Sequence, residues 1–166
     1  MNTLIELVLE ALKFIFPAYV ANAVPVLVGG GLPLDFGKNF YDGKPIFGKN
    51  KTFRGFFFGL TIGTLVGLVE AFFFTEYPIS FGFLLSLGAL LGDLAGAFLK
   101  RRIGLTPGEL LPVVDQIDFI IGALAFFLPF NVLSLELALT VLLITPPLHI
   151  VTNFTAYKMG LKSNPW

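Results

Sequence analysis

The chain contains no cysteine, a single histidine and a single tryptophan among its 166 residues. Without cysteine there are no disulfides and no thiolate metal ligands. With no thiol and no Ser/His/Asp set, the sequence offers no generated protein nucleophile. His149 follows Pro146 and Pro147, far in sequence from the charged segments, and is read as a helix-packing residue. Charge is the other scarcity. Asp, Glu, Lys and Arg make up 13% of the chain, against ~25% in an ordinary soluble domain. Apolar residues make up 55%, and the mean hydropathy is +0.84. These values specify an integral membrane protein, read as a single domain over residues 1–166. The N-terminus MNTLIELVLEALK has no basic leader and carries Glu6 and Glu10, so no cleavable signal peptide is expected.

What is present is long apolar runs. A helix needs ~20 mostly apolar residues to cross a bilayer. Five segments are candidates: one within Leu4 to Gly30, then about Gly55 to Phe74, Ile79 to Lys100, Ile117 to Leu133, and Leu135 to Tyr157. Pro17 and Pro25 are expected to kink the first. Gly59, Gly63 and Gly67 recur every four residues in the second, a spacing that permits close helix contact. The fold class is therefore all-α, polytopic, with five transmembrane helices.

The cations set the orientation. Lys38, Lys44, Lys49, Lys51 and Arg54 follow the first run, Lys100, Arg101 and Arg102 end the third, and Lys158 and Lys162 follow the fifth. The connections after the second and fourth runs carry no Lys or Arg. By the positive-inside rule the cationic face is cytoplasmic, giving N-terminus out and C-terminus in. The localisation that follows is a multi-pass cell-membrane protein with its polar site on the cytoplasmic side. Glu6, Glu10 and Lys13 stand apart, on one helical face by their spacing. They are expected near the outer interface or paired with one another.

Fourteen of the twenty-two charged residues fall in two segments, Asp35 to Arg54 and Asp93 to Asp118. An ionised Asp at membrane depth is costly and usually marks function. Asp93 lies inside the cytoplasmic end of the third run, and Asp115 and Asp118, three apart, begin the fourth. Three carboxylates from two helix ends suit Mg²⁺, a hard cation that takes oxygen ligands and phosphate co-ligands. The structural alternative is simple pairing of Asp93 with Arg101 or Arg102, and dipole-favoured acids at a helix start. In the other segment, GKNKTFRG (Gly48 to Gly55) leads into the second helix with Lys49, Asn50, Lys51, Thr52 and Arg54. Helix N-terminal amides make this a natural phosphate site, with Lys44 just upstream. It lacks the Walker spacing. Leu99 to Arg102 gives a second cationic cluster, although basic flanks also simply meet anionic lipid. Acids, metal and Lys/Arg together suit phosphoryl or nucleotidyl transfer, where positioning and charge neutralisation dominate.

At these residues the sequence resembles the CDP-archaeol synthases, the archaeal CTP-dependent cytidylyltransferases of ether-lipid phosphates. The resemblance covers nearly the whole chain, through DGKPIFGKNKTFRG and GDLAGAFLKRR. A more distant similarity runs to the phosphatidate cytidylyltransferases, which carry KT-aromatic-E-G, then GDL and LKR, then D-x-x-D. Lys51 to Gly55 resembles the first, with Arg54 replacing the acid; Gly92-Asp93-Leu94, Leu99-Lys100-Arg101 and Asp115 to Asp118 match the others. That family's Lys-Asp after LKR and its His-Gly-Gly stretch are absent here, and no role is carried over for them.

The resemblance implies CTP and 2,3-di-O-geranylgeranylglyceryl phosphate as substrates, Mg²⁺ as cofactor, and surrounding membrane lipid, with no nucleic-acid partner. It implies Asp93, Asp115 and Asp118 as metal ligands, acting in catalysis with Lys100. Lys44, Lys49, Asn50, Lys51, Thr52, Arg54 and Arg101 would bind substrate. Two other readings are a small ion transporter or channel and a CDP-alcohol phosphotransferase. The first would string charge along a path through several helices, and the interior past Asp93 is almost uncharged apart from Glu70. The second needs a D-G-x-x-A-R run that this chain lacks.

Overall fold

In the computed structural model the structure describes residues 3–74, 76–130, 133–162 and 164–165. Among these residues five α-helices follow one another: α1 (Leu4–Val28), α2 (Phe53–Phe73), α3 (Phe81–Arg102), α4 (Val114–Phe127) and α5 (Leu135–Lys158), with a 3-10 turn, Leu128–Phe130, after α4. Among the described residues there is no strand, only two isolated bridges, Pro33 to Thr52 and Asn39 to Pro45, in the long connection before α2. By length and apolar composition α2, α3 and α5 qualify to cross a bilayer. α4 is shorter than its predicted run. It begins after Pro112, spans 14 residues, and tightens into the 3-10 turn around Pro129. Asn131 and Val132 of that predicted run lie outside the described residues.

Local chemistry accounts for the helix starts. Thr3 and Glu6 form a reciprocal capping box at α1. Thr52 and Ser134 cap α2 and α5 by accepting the amides of Gly55 and Leu137. Glu6 is thus explained as a cap. Lys13 pairs not with its own helix but with Glu76, at 2.8 Å, and lies over the Phe74 ring at 4.4 Å. α1 continues through Pro17 and Pro25 without a break in the helix.

Packing inverts the pattern of a soluble helix. The buried residues of α2 are Gly55, Gly59, Gly63 and Gly67, while Phe57, Phe58, Leu65, Val69 and Phe72 face outward. In lipid, large apolar side chains gain nothing by turning inward, whereas close backbone contact gains dispersion. A Cβ on Gly59 would lie 2.5 Å from the Ala21 carbonyl of α1, and one on Gly67 would overlap the backbone of Gly82 on α3. The same device joins α3 to α4, where Gly88 meets Gly122 and Gly92 meets the Asp118 carbonyl. α1 packs against all four other helices, whereas α5 packs only against α1 and α4. One end of the bundle is closed by Phe14, Phe81 and Phe127, fully buried with ring centroids 5.3–5.7 Å apart. The other end carries the charged loops.

This arrangement makes a direct prediction. Gly67→Val should lower the denaturation temperature in detergent, costing at least about 1–3 kcal/mol because the clash is with backbone. Phe72→Ala, which trims a ring that is 83% exposed, should leave that temperature nearly unchanged.

Candidate functional site

The connection from α1 to α2 is built around Asp35, which is 5% exposed. Its carboxylate accepts the amides of Gly37 (2.9 Å), Phe47 (3.0 Å) and Gly48 (2.8 Å). Burial raises the cost of its charge, but these three donors more than offset it and hold the carboxyl below its usual value. Gly48 has φ +100°, and a Cβ there would meet the Pro107 ring at 3.0 Å. Only glycine lets this loop lie against the α3–α4 connection. Lower down, Arg102 clasps the same loop. It donates to Asp42 at 3.0 Å and to the Pro45 carbonyl, and its guanidinium lies over Phe40 and Phe98. Lys44 returns a bond to the Arg102 carbonyl at 2.9 Å.

The loop thereby delivers Lys51 to Asp93. The ammonium bonds both carboxylate oxygens, at 2.6 and 2.7 Å. Burial disfavours the Lys51 charge, yet Asp93 and, behind it, Asp118 and Asp115 raise its pKa above the normal lysine value. Lys100 pairs with Asp115 at 2.6 Å, and Asp115 also accepts the Leu111 amide at 3.0 Å. Asp118 is treated differently. One oxygen accepts its neighbour's amide, that of Phe119, at 2.6 Å, and the other rests against Gly96. It lies in the fields of both Asp93 and Lys51, but among the described residues no cation makes an ion pair with it. Arg101 is the converse. It is 3% exposed, and its Nε and Nη1 find no hydrogen-bond partner. A buried guanidinium left this way is strongly disfavoured unless an anion completes it.

These groups line one cavity of about 1190 Å³, larger than the ~300–1,000 Å³ of a typical small-molecule site. Lys49, Asn50, Lys51, Thr52, Asp93, Lys100, Arg101, Asp115 and Asp118 are all on its wall. Lys44 and Arg54 are not: Lys44 anchors the loop, and Arg54 is exposed on the outer side of α2. The structure adds residues that the sequence reading passed over. Lys162 and Asn164 of the C-terminal tail reach the wall, and Asn164 donates to the Gly108 carbonyl at 3.3 Å. Burial and the nearby Lys51 lower the pKa of Lys162. His149 also lines the cavity, with Asn153, so its distance in sequence from the charged segments disguised proximity in space. Away from the charges the wall becomes apolar, through Leu12, Phe16, Val20 and Leu148.

The carboxylates suit a hard cation by chemistry. As arranged, however, no group of three acidic or histidine side chains among the described residues is gathered to hold a metal ion. Mg²⁺ commonly takes one or two carboxylates with substrate phosphates completing its shell. Asp118, unclaimed by a lysine, with Asp93 nearby, fits that mode better than a closed protein cage.

A family model described as CDP-archaeol synthase, CarS-like, matches residues 4–166. CDP-archaeol synthase of Pyrococcus furiosus is 48% identical over 164 residues, covering 96% of this chain and 98% of the relative. That of Methanocaldococcus jannaschii is 40% identical, covering 97% and 98%. A solved structure, described as an intramembrane enzyme for archaeal membrane lipids biosynthesis, superposes with a TM-score of 0.79 at 35% identity, covering 88% of this chain and 94% of that one. With its apolar helices, this establishes a membrane protein.

Two measurements test the site's construction. Arg101→Met should weaken binding of pyrophosphate at least roughly tenfold, while the free protein keeps or gains thermal stability, because an unpaired buried charge is removed. Asp35→Ala should speed hydrogen exchange at Gly37, Phe47 and Gly48. A carboxylate whose folded pKa is depressed stabilises above its unfolded value and loses that contribution as pH falls through the folded one. Wild-type protection of these amides should therefore be flat from neutral pH down to about pH 4 and collapse only below it.

Proposed function

The chain belongs to the CDP-archaeol synthase family, and we infer that it transfers CMP from CTP to 2,3-di-O-geranylgeranylglyceryl phosphate, giving CDP-archaeol and pyrophosphate. It is a cytidylyltransferase of archaeal lipid biosynthesis. The observation that carries the substrate assignment is the cavity's polarity: one end holds paired Lys and Asp with an unpartnered Arg101, and the other is apolar. A lipid phosphate and a nucleotide need both. The buried aromatic end of the bundle, Phe14, Phe81 and Phe127, is the wrong construction for an ion path.

In the reaction a phosphate oxygen of the lipid attacks the α-phosphorus of CTP. The bond from that phosphorus to the bridging oxygen breaks, and the electron pair leaves with pyrophosphate. Both reactants are polyanions, so repulsion is the first obstacle. Lys49, Lys51, Lys100 and Arg101 neutralise it along the cavity wall. Asn50 offers amide donors, and the Thr52 oxygen already accepts Gly55, leaving its hydrogen to orient a phosphate. Mg²⁺, held by Asp118 and Asp93 together with substrate phosphates, would supply Lewis-acid charge neutralisation. For Asp93 this requires that Lys51 exchange a carboxylate for a phosphate, while Asp115, paired with Lys100, adds its charge from beside them. We place the site on the cytoplasmic side of the cell membrane, with all five helices embedded, the N-terminus out and the C-terminus in. The charged loops and the nucleotide then share one face.

Purified protein given CTP, Mg²⁺ and the lipid phosphate should release pyrophosphate, and a nucleotide panel should rank CTP first. Asp93→Asn and Asp118→Asn should each lower kcat roughly 100-fold or more. Full activity in either would overturn the assignment of that acid.

A further inference from the structure

His149 and Asn153 form a polar pair that the reaction described above does not use. Both are half-buried on α5 and line the cavity. The Asn153 amide nitrogen is 3.1 Å from His149 Nδ1 and 3.4 Å from Nε2. In either tautomer the imidazole keeps one N–H, and Asn153, spending one hydrogen on the accepting ring nitrogen, retains a second N–H and its carbonyl oxygen. The imidazole lies 5.8 Å, centroid to centroid, from the ring of Phe119, the residue next to Asp118. The pair therefore sits on the cavity wall beside Phe119, whose chain neighbour is Asp118. The cavity wall turns apolar at Leu148, one residue before His149.

Other hydroxyls at this level are already committed. Thr145 donates to the Val141 carbonyl at 2.6 Å and receives the Tyr19 hydroxyl at 2.8 Å. Thr152 donates back to the His149 carbonyl at 3.1 Å. His149 and Asn153 keep donors to spare on this wall, which Asn22 of α1 also lines.

We propose that His149 and Asn153 bind the glycerol–phosphate junction of the lipid acceptor, setting its phosphate against the nucleotide held by the lysines. This rests on the functional reading above. An amphiphile whose phosphate reaches Lys51 and whose chains lie along Leu148, Val20 and Phe16 must put its glycerol at this level. Ether oxygens only accept hydrogen bonds, so the wall there needs donors. A fixed charge would be poorly matched to them and costly to desolvate.

The test separates the acceptor from the nucleotide. Binding of the lipid phosphate to detergent-solubilised protein is measured without CTP, for wild type, Asn153→Ala, His149→Ala and His149→Gln. Steady-state KM values are then taken for both substrates. The alanine variants should bind lipid phosphate roughly tenfold more weakly or worse, with a matching rise in its KM and a CTP KM within twofold of wild type. His149→Gln, which keeps an N–H donor, should recover part of the loss. A rise in the CTP KM instead, or new acceptance of UTP, would assign the pair to the nucleotide and overturn the proposal. Unchanged lipid binding would overturn it as well. Should His149→Ala fail to fold, Asn153→Ala decides alone. A wild-type protein that binds the lipid phosphate but releases no pyrophosphate would defeat the functional reading, and leave the binding comparison to judge the pair.

Discussion

The ion pair between Lys51 and Asp93 is the contact on which the rest of the site depends. It joins the loop before α2 to the middle of α3, bringing together residues 42 apart in sequence so that the two charged segments become one surface. Its geometry, one ammonium across both carboxylate oxygens, answers the problem of charge at membrane depth. A carboxylate there is costly alone and tolerable only when paired and hydrogen-bonded. Lys100 and Asp115 repeat the solution between α3 and α4. Against this background two groups are exceptional. Asp118 has no cation closing on it among the described residues, and Arg101 has two unpartnered nitrogens. At both, a ligand of opposite sign would complete a charge that stands on the cavity wall.

That network is positioned by glycines. Asp118 sits where it does because Gly92 and Gly96 of α3 give it room, and a Cβ at either would overlap it. On the other side of α3, Ser86 lies against Gly63 of α2. The backbone contacts of α2, α3 and α4 thus fix the depth of the carboxylates without relying on side-chain burial, which drives little association inside lipid. α5 is the looser partner. It touches only α1 and α4, and the space that it leaves beside α1 becomes the apolar part of the cavity.

The acids and the cationic loop before α2 were legible because charge is so rare in this chain that each cluster stands out. Asp93, Asp115, Asp118, Lys49, Lys51 and Lys100 all reach the cavity that their spacing implied. The glycine register of α2 was equally legible, since a four-residue repeat has one physical use on a helix. Other features were hidden for identifiable reasons. Lys44 looked like a ligand because it is a cation in the right loop, but what it bonds is a carbonyl 58 residues away. Arg54 belongs to the motif yet points outward, because it falls on the face of α2 opposite the glycines. Asp35 carries no pattern at all. Its three amide partners come from a fold of the loop that no periodicity encodes. His149 was misplaced because linear distance from the charged segments was taken for spatial distance, and α5 returns it to their level. α4 was read as too long because apolar composition continues through a turn where Pro129 ends the α-helical hydrogen bonding.

The membrane also constrains how an enzyme of this kind selects its acceptor. A soluble protein gains affinity by taking hydrocarbon chains out of water, ~25 cal/mol per Å². On the proposed function the acceptor's chains start in lipid, and moving them into a groove lined by Leu12, Phe16 and Leu148 would exchange one apolar surface for another. Chain burial therefore contributes little net affinity, and discrimination by chain length should be weak. Binding energy must come from the part of the lipid that changes partners, namely its phosphate and glycerol. A groove of this sort works as a guide that fixes depth and direction, while the polar groups at its mouth do the selecting. Lipid acceptors that differ only in their tails should then compete on nearly equal terms. Acceptors that differ at the glycerol should not, because a donor left facing no acceptor at that depth loses a hydrogen bond that neither water nor lipid restores.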